Sequence, residues 1–171
     1  MPFTPFHFGI ALLIFAVFPF LDPVALFIGA VIPDTEGILA MFVFRGAGLP
    51  LHGVLHSFLA ATVLGIVTGL VSYLLLRFAV EQKLLPFKMT VTVERSVFSG
   101  LLGTFSHILL DVPLYSEMDP FLPLTGNPLY GIVPFSVPYA VCILGAVLGT
   151  LLILVRVYWK AAVKKPEKQI P

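Results

Sequence analysis

Pro50-Leu51-His52-Gly53-Val54-Leu55-His56-Ser57 opens the longest apolar run in the chain, which continues to about Ala79. A bilayer needs roughly 20 residues of helix, so the reading of this run decides whether the chain belongs to a membrane. It also carries two histidines at its mouth, four residues apart. On a helix that spacing stacks both imidazoles on one face, about a turn apart, where they can share one metal ion. Ionisable side chains at membrane depth are costly, and they mark function unless a neighbouring helix satisfies them.

The rest of the composition agrees with a membrane chain. Of 171 residues, 58% are hydrophobic and 11% charged, with a mean hydropathy of +1.03, whereas charged residues make up about a quarter of an ordinary soluble domain. The expectation is an all-α integral membrane bundle of about five transmembrane helices. Residues 1–160 form one domain, and 161–171 form a basic cytoplasmic tail holding Lys164, Lys165 and Lys168. No nucleic-acid partner is expected, and no protein partner can be inferred. The single cysteine, Cys142, excludes an intrachain disulfide and a cysteine-rich zinc site. No basic stretch precedes the first apolar run, so that run is read as a retained helix and not a cleaved signal.

Outward from the opening stretch, the first span is expected over Phe3 to Leu21, with His7 about a turn inside it. The second runs from Pro23 to about Phe44 and is broken at Pro33, since proline removes an amide and disturbs the preceding turn. That break places Asp34 near mid-membrane and Glu36 half a turn further on. The third span runs from Leu51 to Ala79, the fourth from Val97 to Val112, and the last from Val137 to Trp159. Small residues at Ser99, Gly100 and Gly103 permit close helix packing. His107 and Asp111 form a second pair four residues apart. The connection Pro113 to Pro134 carries Tyr115, Glu117, Asp119 and Asn127, and connections of that length usually serve function.

Basic residues cluster at Arg77 to Arg95 and at Arg156 to Lys168, and the positive-inside bias assigns both clusters to the cytoplasm. An integral cell-membrane protein with its N-terminus outside and its C-terminus cytoplasmic follows, with Arg45 dissenting. All the histidines and Asp111 then fall in the outer half, near Asp34. No polar residues are expected in the inner halves of the second, third and fourth helices.

Imidazoles and carboxylates without thiolate suit a divalent ion, with zinc first and manganese or iron as alternatives. Candidate ligands are Asp34, His56, His107 and Asp111, with His7 and His52 as further ligands or supporting partners, enough for one ion or two. His56, a turn deeper than His52, sits nearer the other ligands. An ion with an open position lowers the pKa of bound water towards about 7, and Glu36, Glu117 or Asp119 is the candidate catalytic carboxylate that takes the proton. Gly53 stands where HExxH metalloproteases carry their glutamate, so peptidase chemistry of that kind is not expected.

Four motifs occur in order: His7-Phe8-Gly9, Pro33-Asp34-Thr35-Glu36, the His52 to Ser57 pair, and Ser106-His107-x3-Asp111. Together they resemble the predicted membrane-bound metal-dependent hydrolases, the group that includes the LexA-regulated inner-membrane hydrolase of enteric bacteria. The Asn127 to Gly131 stretch is similar to archaeal members. The resemblance implies a bound divalent metal, hydrolase activity, and metal-binding roles for His7, Asp34, His52, His56, His107 and Asp111. Two departures stand out: Gly53, where many bacterial members have arginine, and Glu36, where aspartate is frequent. The expected function is a membrane-embedded metal-dependent hydrolase acting, through a metal-activated water, on a phosphoester of a membrane lipid or lipid-linked substrate. The alternatives are a divalent-metal or proton-coupled transporter using the same residues, and a metal-stabilised scaffold without turnover.

Overall fold

The computed structural model describes residues 4–44, 50–84 and 90–163. Arg45, the Gly46–Leu49 connection, Lys88 and the basic tail from Lys164 lie outside the described residues. The described chain is helical, with no strand: α1 (His7–Val17), α2 (Pro23–Gly29), α3 (Thr35–Phe42), α4 (Phe58–Glu81), α5 (Val93–Asp111) and α6 (Ser136–Val163). Short 3-10 turns at Thr4–Phe6, Ile32–Asp34 and Val54–His56 precede α1, α3 and α4.

Two helices, α4 with 24 residues and α6 with 28, are long and apolar enough to cross a membrane. The broken pair Pro23–Gly29 and Ile32–Phe42, bent by 41°, makes a third span if counted as one. The expected count of about five is therefore not reached. Apolar run length overstated helix length: α1 has 11 residues, about 16 Å at 1.5 Å per residue, against a hydrocarbon core of about 30 Å. Helix α5 has 19 residues but carries Glu94, Arg95, His107 and Asp111.

Burial is inverted relative to a water-soluble protein. Leucine, valine and phenylalanine dominate the exposed surface of α4 and α6, while the interior is rich in alanine, serine, threonine, histidine and aspartate. That partition suits a chain solvated by lipid, where small residues let helices pack closely and polar groups are satisfied inside. Glycines supply the closest approaches. A Cβ on Gly65 would lie 2.8 Å from Leu101 Cα, and one on Gly100 would run into the Gly65 carbonyl, so α4 and α5 touch backbone to backbone. Gly145 and Gly149 do the same for α6 against α1.

The halves of these helices expected to face the cytoplasm are not free of polar residues, contrary to expectation. Asp22 caps α2, with Oδ1 accepting from the amides of Val24 (2.9 Å) and Ala25 (3.1 Å). Its Oδ2 accepts from the hydroxyls of Ser72 on α4 (2.7 Å) and Ser96 on α5 (2.6 Å). Its own amide donates to Ser99 Oγ at 2.9 Å. One buried carboxylate thus ties three helices together. In sequence Asp22 reads only as a stop to the first apolar run, because the serines that answer it lie on α4 and α5.

Asp22→Ala should lower stability in detergent by at least about 2 kcal/mol, since it strands two buried hydroxyls and two amides. Leu59→Ala, at an exposed position on α4, should change it little. Equal thermal midpoints for the two variants would show that the knot is not structural.

Candidate metal centre

The helix break at Pro33 builds the site before any ligand is considered. Proline has no amide to continue the helix onto Gly29, and the Asp34 amide bonds the Val31 carbonyl at 3.2 Å. The Ala30 carbonyl, which a continuous helix would have used, instead lies 2.8 Å from His107 Nδ1. A carbonyl can only accept, so Nδ1 carries the proton and Nε2 presents its lone pair.

The same device recurs at His56. From the first turn of α3, Glu36 Oε2 accepts from the amides of Gly53 (2.9 Å) and Leu55 (3.0 Å), and from His56 Nδ1 at 3.1 Å. Glu36 therefore braces the turn and fixes the His56 tautomer, leaving Nε2 for a ligand role. Carboxylate-to-histidine contacts of this kind commonly orient metal ligands.

The expected helical pairing of His52 with His56 is not what the structure has. Helix α4 begins only at Phe58, His56 ends a 3-10 turn, and His52 lies before it. The two rings are 4.8 Å apart at 81°. His52 turns away, with Nδ1 on Glu117 Oε1 at 3.0 Å and its ring stacked on Tyr115 at 3.7 Å. Gly53 and the Glu36 contacts to its amide hold the segment in a turn where the apolar pattern suggests helix.

Ligand atoms of Asp34, His56, His107 and Asp111 lie within 4.8 Å of one another, and all four residues are buried. His107 Nε2 is 3.3 Å from Asp111 Oδ2 and 3.5 Å from Asp34 Oδ1. His56 Nε2 is 3.6 Å from Asp34 Oδ1, and His7 Nε2 is 3.4 Å from Asp111 Oδ1. These separations exceed an ordinary N–H···O bond. They are close to the edge, about 3.3–3.4 Å, of a tetrahedron whose bonds are 2.0–2.1 Å long. The Nε2 atoms of His7, His56 and His107 and both Asp111 oxygens are buried without a hydrogen-bond partner, and buried polar atoms are rarely left so. The residues present fit a divalent cation. His7, stacked on His107 at 4.0 Å, stands beside the group of four, with Nε2 facing Asp111 Oδ1.

Beside this centre lies a cavity of about 470 Å³, with Glu36, Gly53 and Glu117 among its walls and Asp119 and Leu122 at its side. Glu117 is 46% exposed. Burial alone would raise its carboxyl, but hydrogen bonds from the backbone and from His52 hold it below the ordinary value. Asp119 Oδ1 accepts from the Gly126 amide, and Asn127 Nδ2 donates to the carbonyls of Val112 and Tyr115, so the long connection is folded on itself against the end of α5. Tyr115, which the sequence places in the long connection without giving it a role, lies against His52. Its hydroxyl is buried without a partner, and burial, with Asp111 adding to it, pushes the phenol well above its ordinary value.

Metal analysis of the purified protein should find at least one divalent ion per chain. The His56→Ala/Asp111→Ala double variant should lose it, while His52→Ala, outside the group of four, should keep it. Full retention in the double variant would refute the centre. Comparison with protein-family models, curated proteins and solved structures yielded no match, so function here is argued from the geometry.

Proposed function

We propose that this protein is a membrane-embedded metal-dependent hydrolase that cleaves a phosphoester of a lipid or lipid-linked substrate. The observation that carries the proposal is the set of buried, partnerless histidine nitrogens gathered with Asp34 and Asp111 at tetrahedral-edge spacing, beside a largely apolar cavity. The order of the four motifs supports the same reading. A divalent ion held by Asp34, His56, His107 and Asp111, zinc first on this donor set, would supply Lewis acidity and a water acidified to near neutral pH.

The chain's own side chains divide the remaining work. Glu36 holds His56 in place. His52 is the proton acceptor: Glu117 fixes its Nδ1–H, and its buried Nε2 has no partner. Burial lowers the His52 imidazole more than Glu117 raises it, the direction a neutral base requires. Helices α1 and α5 lie within the bilayer against the longer spans, with the site end outside. All described basic residues, namely Arg77, Lys83, Arg95, Arg156 and Lys160, sit on the remote portions of α4, α5 and α6 or just past α4. That placement fits a cytoplasmic remote end.

A transporter would need a polar route from the site to the remote end. The Asp22 knot stands there, about 16 Å further along α5, but its carboxylate is occupied by four protein donors. The glycine contacts among α2, α4 and α5 close the space between.

In detergent, the protein should hydrolyse phospholipid, and a chelator should abolish the activity. His52→Ala should reduce kcat by about a hundredfold or more while retaining metal. The acidic limb of the pH–rate profile should fall below pH 6.5, because activity is lost as His52 becomes protonated through its lowered pKa. Chelator-insensitive hydrolysis would overturn the assignment.

A further inference from the structure

Tyr115 is held on three sides. Its carbonyl accepts from Asn127 Nδ2 at 2.8 Å, and the same side chain donates to the Val112 carbonyl at 2.7 Å, so Asn127 pins the residue to the end of α5. The ring packs against the buried cluster of Ala61, Ile108, Val112 and Met118. One face lies on the His52 imidazole, with ring centres 3.7 Å apart and planes 17° from parallel. Ile108 and Val112 each follow a residue of the group of four, His107 and Asp111. The phenol is therefore packed against the same stretch of chain that supplies the centre.

The hydroxyl is the one part of this side chain left unsatisfied. It is buried and has no hydrogen-bond partner, and leaving a buried polar group in that state is costly. Phenylalanine would pack the same ring without that cost, so packing does not account for a tyrosine here. His52 Nε2, on the stacked ring, is also buried without a partner. Rings in face contact bring these two atoms within the span of one phosphoryl group and its hydrogen bonds. A phenol is protonated at neutral pH and donates, so what the hydroxyl lacks is an oxygen acceptor from outside the chain.

Resting on the hydrolase reading, we propose that Tyr115 is a further catalytic residue, whose hydroxyl donates a hydrogen bond to a phosphoryl oxygen of the substrate. His52 Nε2 then serves the attacking water and Tyr115 the phosphoryl oxygen, side by side on one stacked pair. No proton leaves the phenol. The hydrogen bond strengthens as charge builds on that oxygen, and a donor already fixed by Asn127 and His52 needs no reorganisation at that moment. Asn127 acts through Tyr115, as a positioning residue.

Tyr115→Phe tests this, because it keeps the ring on His52 and removes only the oxygen. Binding of a hydrolysis-resistant phosphonate analogue of a phospholipid is followed by native mass spectrometry on the purified full chain in detergent. The variant should bind it about fivefold more weakly, the worth of one net hydrogen bond. It should turn over phospholipid at least about tenfold more slowly, with metal content, thermal midpoint and the acidic limb of the pH–rate profile unchanged. Equal phosphonate affinity in the two chains would overturn the proposal, as would absence of phosphonate binding by the native chain. So would a lowered midpoint without ligand, showing that the hydroxyl bonds within the chain, or a loss of metal, showing that it is a ligand. If the native chain hydrolyses no phospholipid and the variant still binds the phosphonate more weakly, the hydrolase reading fails and the phosphoryl contact stands.

Discussion

Two carboxylates, Asp34 and Asp111, are shut away from solvent with histidines beside them. Burying a carboxylate costs several kcal/mol unless charge and hydrogen bonds compensate it. The Nδ1 atoms of His56 and His107 are engaged by Glu36 and by the Ala30 carbonyl. Their Nε2 atoms are what these two rings turn towards Asp34 and Asp111. Nitrogen and oxygen atoms gathered at 3.3–3.6 Å are spaced as the ligands of one cation would be. The site end of the bundle is built around this group of four.

Interrupted helices are how the chain assembles it. A continuous helix uses up its own backbone groups, whereas a break leaves them for side chains. Pro33 frees the Ala30 carbonyl for His107, and the turn before Phe58 exposes the Gly53 and Leu55 amides to Glu36. Breaks of this kind survive at membrane depth only where protein or a cavity surrounds them. The Asp22 knot and the glycine contacts clamp α2, α4 and α5 beneath the site, so the breaks sit on a rigid base.

Much of this was legible in the sequence, and what was missed has physical causes. The break at Pro33 shows because proline's lost amide is a local effect. His107 and Asp111 show because they fall four apart on one helix. The His52–His56 pair has the same spacing but is not helical, because Glu36 holds that turn from seventeen residues away in sequence. Asp22 looks like a helix stop until the serines of α4 and α5 are placed around it. Tyr115 is legible only as part of the long connection, because nothing local in sequence shows that its hydroxyl is buried without a partner. Span count failed for a related reason: hydropathy measures the apolar run, not where the helix within it begins and ends.

Gly53 and Glu36, the two departures from the pattern that the motifs resemble, turn out to touch. A Cβ on Gly53 would lie 2.7 Å from Glu36 Oε1, so this carboxylate occupies space that a side chain at position 53 would claim. Glycine at 53 and glutamate at 36 are therefore structurally coupled. Where the resembled pattern carries an arginine beside the first histidine of the pair, this chain has the longer acid seated on bare backbone. Glycine there leaves room for that carboxylate against the turn. An arginine at that place would suit an anionic group directly, as its planar fork matches phosphate. With glycine there instead, the amide of residue 53 is free to donate to Glu36, and the same carboxylate oxygen holds the His56 ring.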